Sequence, residues 1–194
     1  MKKNKMYAIA IMVVGFSSLS ALSGAEAAAK IVEEQKLPNQ LRDGAFTLIP
    51  KKGLPVGWFF WKNKGSQGKV RFEKTAGVGQ SPAAVLSGGS GTLFAEVKIK
   101  GGEQIYARVK TKKSGGGDAV LSFRFQAANK RWLPLTVSKT ISFSQTSDWT
   151  EVELTGKAPA NGETAILMFG IKNLESPESR IFLDDVELYI LPEK

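Results

Sequence analysis

The sequence predicts an all-β protein, a β-sandwich of two antiparallel sheets packed face to face. Turn residues interrupt the chain about every eight to fifteen positions from residue 43 onward. The short runs between these turns alternate apolar and polar residues, which is the pattern of a strand with one buried face. No window of the chain shows a convincing apolar period of 3.6 residues, so we expect almost no helix.

Residues 1–29 have the features of a secretory signal peptide. Three lysines among the first five residues precede an uncharged apolar run over residues 6–16 and a stretch of small residues. This run is too short to span a bilayer, and we predict cleavage after Ala27 or Ala29. With no cysteine in the chain, no thiol is present for lipid attachment. We therefore expect a secreted or periplasmic protein without a membrane span.

Residues 30–42 are polar and show no clear period, which predicts a lead-in segment that packs loosely. Residues 43–194 then suit one domain with a single core. Because the chain has no cysteine, its stability in an oxidising compartment must come from packing alone. A full two-layer core is therefore expected.

The predicted strands are short runs rich in β-branched and aromatic residues. In chain order they are 45–49, 58–61, 70–74, 83–87, 92–99, 104–112, 119–127, 133–140, 150–156, 164–171 and 180–191. Alternation assigns the faces, so that Leu121, Phe123 and Phe125 point to one side of their strand. The short turn at Gly101–Gly102 predicts a hairpin between the fifth and sixth strands.

The composition excludes much of enzyme chemistry. The chain contains no histidine and no cysteine, which removes serine–histidine and cysteine–histidine nucleophiles, histidine acid–base catalysis and ordinary zinc sites. The catalytic chemistry that the composition still allows is that of a carboxylate pair, as in glycosidases. Glu151 and Glu153 alternate on one strand face, which is typical of a row that faces solvent. We expect a protein that is not an enzyme.

The chain is basic, but its positive charge is dispersed. It carries 27 basic and 18 acidic residues and a net charge of +9. Removing residues 1–29 takes away three lysines and Glu26, which leaves 24 basic and 17 acidic residues, or +7. No run of lysines has the density of a nucleic-acid-binding arm, so a solvated basic face is predicted. Acidic glycans are the first ligands to test on this charge.

Aromatic residues are the first candidates for a ligand site. In residues 57–61, Trp58 and Phe60 point to one side of an extended segment, and Phe59 and Trp61 point to the other. One pair can enter the core, and the second then needs cover or a ligand. Flat aromatic rings beside polar side chains suit a sugar ring. The candidate ligand-binding residues are Trp61, Trp132, Arg124, Gln126 and Arg131, with Trp132 expected in a polar loop; the alternative for each tryptophan is burial in the core.

Asp184 and Asp185 lie within the apolar closing strand. A carboxylate in such a run costs free energy unless it is hydrogen-bonded, paired or bound to a hard cation. Adjacent acids should point to opposite faces unless a bulge intervenes. Two interpretations stay open: the acids anchor the strand to a neighbouring loop, or they are ligands of a structural calcium ion.

Several short motifs, taken in order over residues 43–190, resemble those of a known family. They are Gly44-Ala45-Phe46, then residues 54–58, 102–106, 148–150 and 158–160, and the closing run 181–188. The family is that of the jelly-roll carbohydrate-binding modules of the galactose-binding-like superfamily, which are often attached to cellulases and xylanases.

The resemblance implies a β-sandwich that binds its ligand on a concave sheet face or at loops on one edge. It also implies a structural calcium ion held by an acid of the Asp184–Asp185 pair and an acid after the first-strand aromatic, where this chain has Thr47. Tyr106 and Trp149 match positions that look like packing residues, so both are expected in the core. The family's ligand residues vary in position, and the resemblance assigns none.

The sequence thus predicts a non-catalytic, exported and monomeric carbohydrate-binding protein that recognises a polysaccharide or oligosaccharide, neutral or acidic. Recognition would rest on aromatic stacking and hydrogen bonds. A protein-interaction or structural domain on the same sandwich, without sugar binding, is the alternative. A small glycosidase or lyase is a third reading, and it requires two carboxylates that converge in a cleft.

Overall fold

Ten strands form two five-stranded antiparallel sheets, which confirms the predicted β-sandwich. The computed structural model describes residues 23–62, 64–141, 148–174, 176 and 178–193. One helix, α1 (Gly24–Gln35), precedes the strands. The strands are β1 (Trp58–Trp61), β2 (Lys69–Glu73), β3 (Ala83–Ser87), β4 (Gly89–Lys98), β5 (Gln104–Ser114), β6 (Asp118–Gln126), β7 (Trp132–Ile141), β8 (Thr150–Lys157), β9 (Thr164–Leu174) and β10 (Arg180–Leu191).

The chain passes repeatedly from one sheet to the other. Sheet A has the strand order β1-β4-β9-β6-β7, and sheet B has the order β2-β3-β10-β5-β8. The hairpin predicted at Gly101–Gly102 is therefore wrong, because β4 and β5 lie in different sheets. The turn is bonded to the β8–β9 connection instead: Gly102 N donates to Ala158 O at 3.2 Å. A Cβ atom on Gly101 would lie 1.9 Å from the Ala160 carbonyl oxygen, so glycine permits this close approach.

The core lies between the sheets, and alternation predicted its members correctly. Leu121 and Phe123 of β6 are fully buried in it. Phe46 joins the core from a loop, with its ring 5.0 Å from that of Trp58 and 5.3 Å from that of Phe72. Edge and loop aromatics thus close one end of the sandwich.

The strand predicted at 45–49 is wrong. Phe46 has a φ of +52°, and the segment bends around the carboxylate of Asp43. Thr47 N donates to Asp43 Oδ1 at 2.8 Å, and Leu48 N donates to Asp43 Oδ2 at 2.9 Å. Because this side chain accepts the backbone N–H groups, they are not free for a sheet ladder.

Helix α1 corrects the prediction of a loosely packed lead-in. Ser23 caps the helix in a reciprocal pair of hydrogen bonds with Glu26. Ala28 and Val32, four residues apart, are buried on the outer face of sheet B. The predicted cleavage positions lie inside this helix. Among the described residues, no helix has both the length and the apolar character that crossing a membrane requires.

The two residues expected in the core lie elsewhere. Tyr106 is fully buried, but it lies beneath α1 with Tyr189, at a ring separation of 6.1 Å, rather than between the sheets. Its hydroxyl donates to Glu153 Oε1 at 2.5 Å. Trp149 is half-buried and outside the core cluster. Lys112 Nζ lies 4.9 Å from its ring centroid, so this indole contacts a cation on sheet B.

Alkaline pH should weaken the docking of α1. Burial and a hydrogen bond with Glu187 raise the pKa of Tyr189 to about 12, and burial with the Glu153 hydrogen bond also raises the pKa of Tyr106. The folded state therefore binds these protons more tightly than the unfolded state, so the stabilisation is complete below about pH 10 and is lost as the pH rises toward 12.

The check is the melting temperature, followed by circular dichroism from pH 9 to pH 12. We expect the melting temperature of the wild-type protein to fall more steeply over this range than that of Tyr189→Phe. Both proteins carry the same lysines, so the comparison isolates the tyrosine. Parallel curves would contradict the expectation.

Candidate functional site

The outer face of sheet A carries an apolar floor with opposite charges beside it. Residues on β4, β9 and β6 that alternate with the core positions point away from the sandwich. The register places Phe94 beside Met168, and it places Ile166 between Glu96 and Arg124. These side chains come from three separate parts of the chain and meet only through strand pairing.

A groove of about 370 Å³ lies on this face. Its walls and floor are formed by Trp61, Thr92, Phe94, Glu96, Arg124, Trp132, Ile166 and Met168. We call it the sheet A groove. Trp61 is 56% exposed and Trp132 is 45% exposed. They lie on β1 and β7, the two edge strands of the sheet, so the indoles bracket the groove from opposite edges.

Arg124 is held against one of these indoles. Its guanidinium carbon lies 4.3 Å from the ring centroid of Trp132, which is a cation–π contact. Arg124 Nε is buried and has no hydrogen-bond partner among the described residues. Arginine keeps its charge at any ordinary pH, and a buried donor without an acceptor is costly. A ligand or a water molecule that accepts from this nitrogen would remove that cost.

The structure brings together three of the five predicted ligand residues, Trp61, Trp132 and Arg124. Trp132 is the first residue of β7 and not part of a loop as predicted. Gln126 pairs in register with Trp132 and lies at the end of the groove, outside its lining. Arg131 is exposed in the β6–β7 connection and lines a neighbouring cleft. Sugar binding by these residues stays a prediction.

Sequence reasoning missed Thr92, Phe94, Glu96, Ile166 and Met168. Alternation around the buried Ala95 places Glu96 on the outer face, and the same alternation extends to Phe94, but a position on that face does not by itself indicate a ligand site. Ile166 and Met168 lie in a run that is apolar on both faces, which conceals the outward positions. Their meeting with Arg124 depends on which strands pair, and local patterns do not specify that.

A second hollow of about 350 Å³ continues the groove past Trp61, which belongs to both. Gly170 lies beside Thr92 in the register, and its missing side chain leaves a notch in the sheet face. Asn173 Nδ2 donates to Asp118 Oδ2 at 3.2 Å beside this notch. The indole of Trp61 thus separates two adjoining hollows.

Asp184 is completely buried and anchors the loop that precedes β3. Its Oδ2 accepts from Val78 N at 2.9 Å and from Ser81 Oγ at 2.5 Å. Its Oδ1 accepts from Asp185 N at 2.7 Å. The β10–β5 pairing shifts register directly after Asp184, and Asp185 has a φ of +46°. The carboxylate is therefore used as a hydrogen-bond acceptor at a bulge.

Asp185 faces a cation. Its Oδ2 lies 2.8 Å from Lys110 Nζ, and its side chain is 38% exposed. This carboxylate raises the pKa of Lys110 by its hydrogen bond. Thr47, at the position where the resemblance implies an acid, donates to Asp43. Within the described ranges, no group of three or more acidic side chains is arranged to hold a metal ion. These contacts favour the anchor interpretation; calcium binding stays an untested prediction.

Solved structures share this fold, at sequence identities that establish nothing beyond the fold. The enzymatically active domain of bacteriophage CBA120 tailspike protein 4 has a TM-score of 0.64 and 14% identity over 79% of this chain and 21% of its own. The CBM22-1–GH10 modules of Clostridium thermocellum xylanase 10B have a TM-score of 0.53 and 16% identity over 71% of this chain and 27% of their own. The present chain thus spans about a quarter or less of either protein.

A third structure has nearly the length of this domain. The CBM22-1 xylan-binding domain of Paenibacillus barcinonensis Xyn10C has a TM-score of 0.54 and 12% identity over 74% of this chain and 92% of its own. The predicted resemblance to jelly-roll carbohydrate-binding modules is therefore confirmed for the fold. No family model and no curated protein sequence matches the chain.

Proposed function

We propose that this chain is an exported, non-catalytic carbohydrate-binding module that holds a polysaccharide or oligosaccharide in the sheet A groove. The observation that carries the proposal is the pair of exposed indoles, Trp61 and Trp132, on either side of an apolar floor. Beside this floor lies Arg124 Nε, which has no hydrogen-bond partner among the described residues. The xylan-binding neighbour supports it by fold.

The chemistry of the groove matches the two faces of a sugar. Phe94 and Met168, which are both partly exposed, offer apolar surface to the C–H bonds of a pyranose ring. Arg124 can donate to ring hydroxyls, and the Glu96 carboxylate can accept from them. The volume of about 370 Å³ lies in the range of about 300–1,000 Å³ that is usual for small-ligand sites. One Arg and one Glu make the groove itself electrically neutral.

The absence of catalysis in the proposal rests on where the carboxylates lie. Glu153 accepts from Tyr106, and Asp184 is buried beneath its loop. Neither of these two carboxylates lines the groove, and Glu151 does not line it either. Glu96 is the one carboxylate of the lining, whereas a glycosidase needs a pair. Export rests on the signal-peptide features of residues 1–29. N-terminal sequencing of the protein recovered from culture medium or periplasm tests export; recovery of the uncleaved chain from the cytoplasm would contradict it.

The test of sugar binding is a screen of the purified chain against neutral and acidic polysaccharides by affinity gel electrophoresis. Saturable retardation by at least one polysaccharide is expected. The net charge of +7 that remains without residues 1–29 makes acidic polysaccharides the first set to screen. Retardation by none of them would favour the protein-interaction alternative, for which the open face of sheet A would serve as the contact surface.

Arg124→Ala is expected to weaken binding of the retained polysaccharide about tenfold, because a charge-assisted hydrogen bond contributes about 1.5–3 kcal/mol. Arg124→Lys should recover only part of this loss, since lysine cannot reproduce a guanidinium stacked on Trp132. Isothermal titration calorimetry measures both. Arg180→Ala, which removes an exposed arginine from sheet B, is the matched control and should bind like the wild type. Equal losses in Arg124→Ala and the control would contradict a role in the groove.

A further inference from the structure

Three chain connections surround a larger cleft at one end of sheet A. They are the β4–β5, β6–β7 and β8–β9 connections, and the cleft between them has a volume of about 980 Å³. Backbone hydrogen bonds join them: Ile99 N donates to Glu163 O at 3.0 Å, and Glu163 N donates to Gln126 O at 2.9 Å. We call this feature the loop cleft. Its walls are held together without any ligand.

The loop cleft is strongly cationic. Lys98, Lys100, Lys130 and Arg131 line it, and Glu163 is the single acidic residue of its lining, so its net charge is +3. All four cations are exposed. Within the part of the chain that the structure describes, none of them forms an ion pair.

Two cations of sheet B, in contrast to those of the loop cleft, do form ion pairs. Arg108 pairs with Glu187 and also approaches Glu33 at 3.8 Å, and Lys110 pairs with Asp185. The strand faces there alternate positive and negative groups, which neutralise one another. The loop cleft differs because four cations stand around one lining acid, Glu163, and this local excess of positive charge attracts anions.

The loop cleft continues the sheet A groove along the strands. Lys98 is two residues beyond Glu96 on β4, a distance of about 7 Å along a strand. Arg131 directly precedes Trp132, and Thr164, which lines the cleft, is two residues before Ile166 of the groove floor. A saccharide chain that leaves the groove at this end enters the cleft.

We propose that the loop cleft is an anion subsite that binds the carboxylate or sulfate groups of an acidic polysaccharide whose adjoining units occupy the sheet A groove. This inference rests on the proposed function for the groove. The neutral groove would recognise the sugar rings, and Lys100, Lys130 and Arg131 would recognise the charge. Asn129 Oδ1 accepts from Arg131 N at 3.1 Å and so fixes the turn that presents this arginine.

The experiment compares two double variants with the same change in charge. Lys100→Ser with Lys130→Ser alters the loop cleft, and the control is Lys51→Ser with Lys52→Ser on an exposed segment outside the lining of the cleft. Each is titrated with polygalacturonate, with its carboxyl-reduced product and with dextran sulfate, at low and at moderate salt. We expect the cleft variant, and not the control, to lose about tenfold in affinity for an acidic polymer. The wild type should bind the carboxyl-reduced polymer about tenfold more weakly than it binds polygalacturonate.

The two acidic polymers distinguish carboxylates from sulfates as the bound groups, and the two double variants distinguish a specific subsite from a general effect of net charge. Loss confined to polygalacturonate assigns carboxylates, and loss confined to dextran sulfate assigns sulfates. Equal losses of affinity in both double variants would overturn the subsite, because net charge would then explain the binding. The subsite would also be overturned if the wild type bound no acidic polymer more tightly than the carboxyl-reduced polymer. Equal binding of single-stranded DNA through the cleft would overturn the glycan assignment.

A further pair of outcomes distinguishes this proposal from that for the groove. If Trp61→Ala abolishes binding of a neutral polysaccharide while the cleft variant binds acidic and neutral polymers alike, the groove proposal stands and the subsite is wrong. If Trp61→Ala binds every polymer like the wild type while the cleft variant loses acidic ones, the groove proposal is wrong and the anion site stands.

Discussion

Replacing Trp61 and Trp132 together by alanine is expected to lower the affinity for a bound polysaccharide at least 100-fold. Each indole presents a large flat surface at the edge of the groove, and loss of one such contact costs about 1.5–3 kcal/mol. Each single variant should lose about tenfold or more. Removing Trp132 also frees the Arg124 guanidinium from its stacked position. The losses of affinity in Trp132→Ala and Arg124→Ala should therefore not be additive.

The fold should tolerate both replacements, since the two side chains are about half exposed and outside the core cluster. Calorimetric titration gives the affinities, and thermal unfolding confirms that the variants are folded. Leu48→Ala is the control, because Leu48 is an exposed hydrophobic residue away from the groove. Unchanged affinity in the folded double variant would refute the groove as the sugar site.

Asp184→Ala is expected to destabilise the protein by about 3 kcal/mol. It removes the acceptor of three donors, Val78 N, Ser81 Oγ and Asp185 N, at a position that is 0% exposed. A buried donor that loses its acceptor costs about 1–3 kcal/mol. The melting temperature of a domain of this size should fall by about 6–12 °C.

The neighbouring acid supplies the control for this measurement. Asp185→Asn removes an exposed ion pair with Lys110, which is worth about 1 kcal/mol or less, and asparagine tolerates the positive φ at this position. Repeating both melts with a chelator and with added calcium separates the two interpretations of the acid pair. A wild-type melting temperature that falls with the chelator, by an amount that vanishes in Asp184→Ala, would favour a calcium site over the anchor.

Local patterns predicted the strands well, because period-two alternation records which face is buried. The segment after Asp43 was mistaken for a strand because composition does not show that one carboxylate takes the backbone donors of Thr47 and Leu48. Helix α1 was missed because its fully buried positions are Ala28 and Val32 alone, a stripe too narrow to give a clear apolar period.

The candidate site was predictable where exposure can be judged locally. Trp61 lies on the second aromatic face of residues 57–61, which cannot enter the core together with the first face. Trp132 lies among polar residues, so its exposure could also be predicted from the sequence. The remainder of the groove depends on pairing between β4, β9 and β6, which are far apart in the chain. The four cations of the loop cleft likewise come from two separate parts of the chain, the end of β4 with the β4–β5 connection and the β6–β7 connection, and only the folded chain places them together.

The position of α1 determines how the molecule can be presented to a surface. The helix lies on the outer face of sheet B, and β10, which carries the last described strand residue, belongs to the same sheet. The first described helix and the last described strand therefore both belong to the sheet B side of the molecule, opposite the sheet A groove. Immobilisation through the exposed side of α1 should leave Trp61 and Trp132 directed outward, which suits the chain for use as a capture reagent.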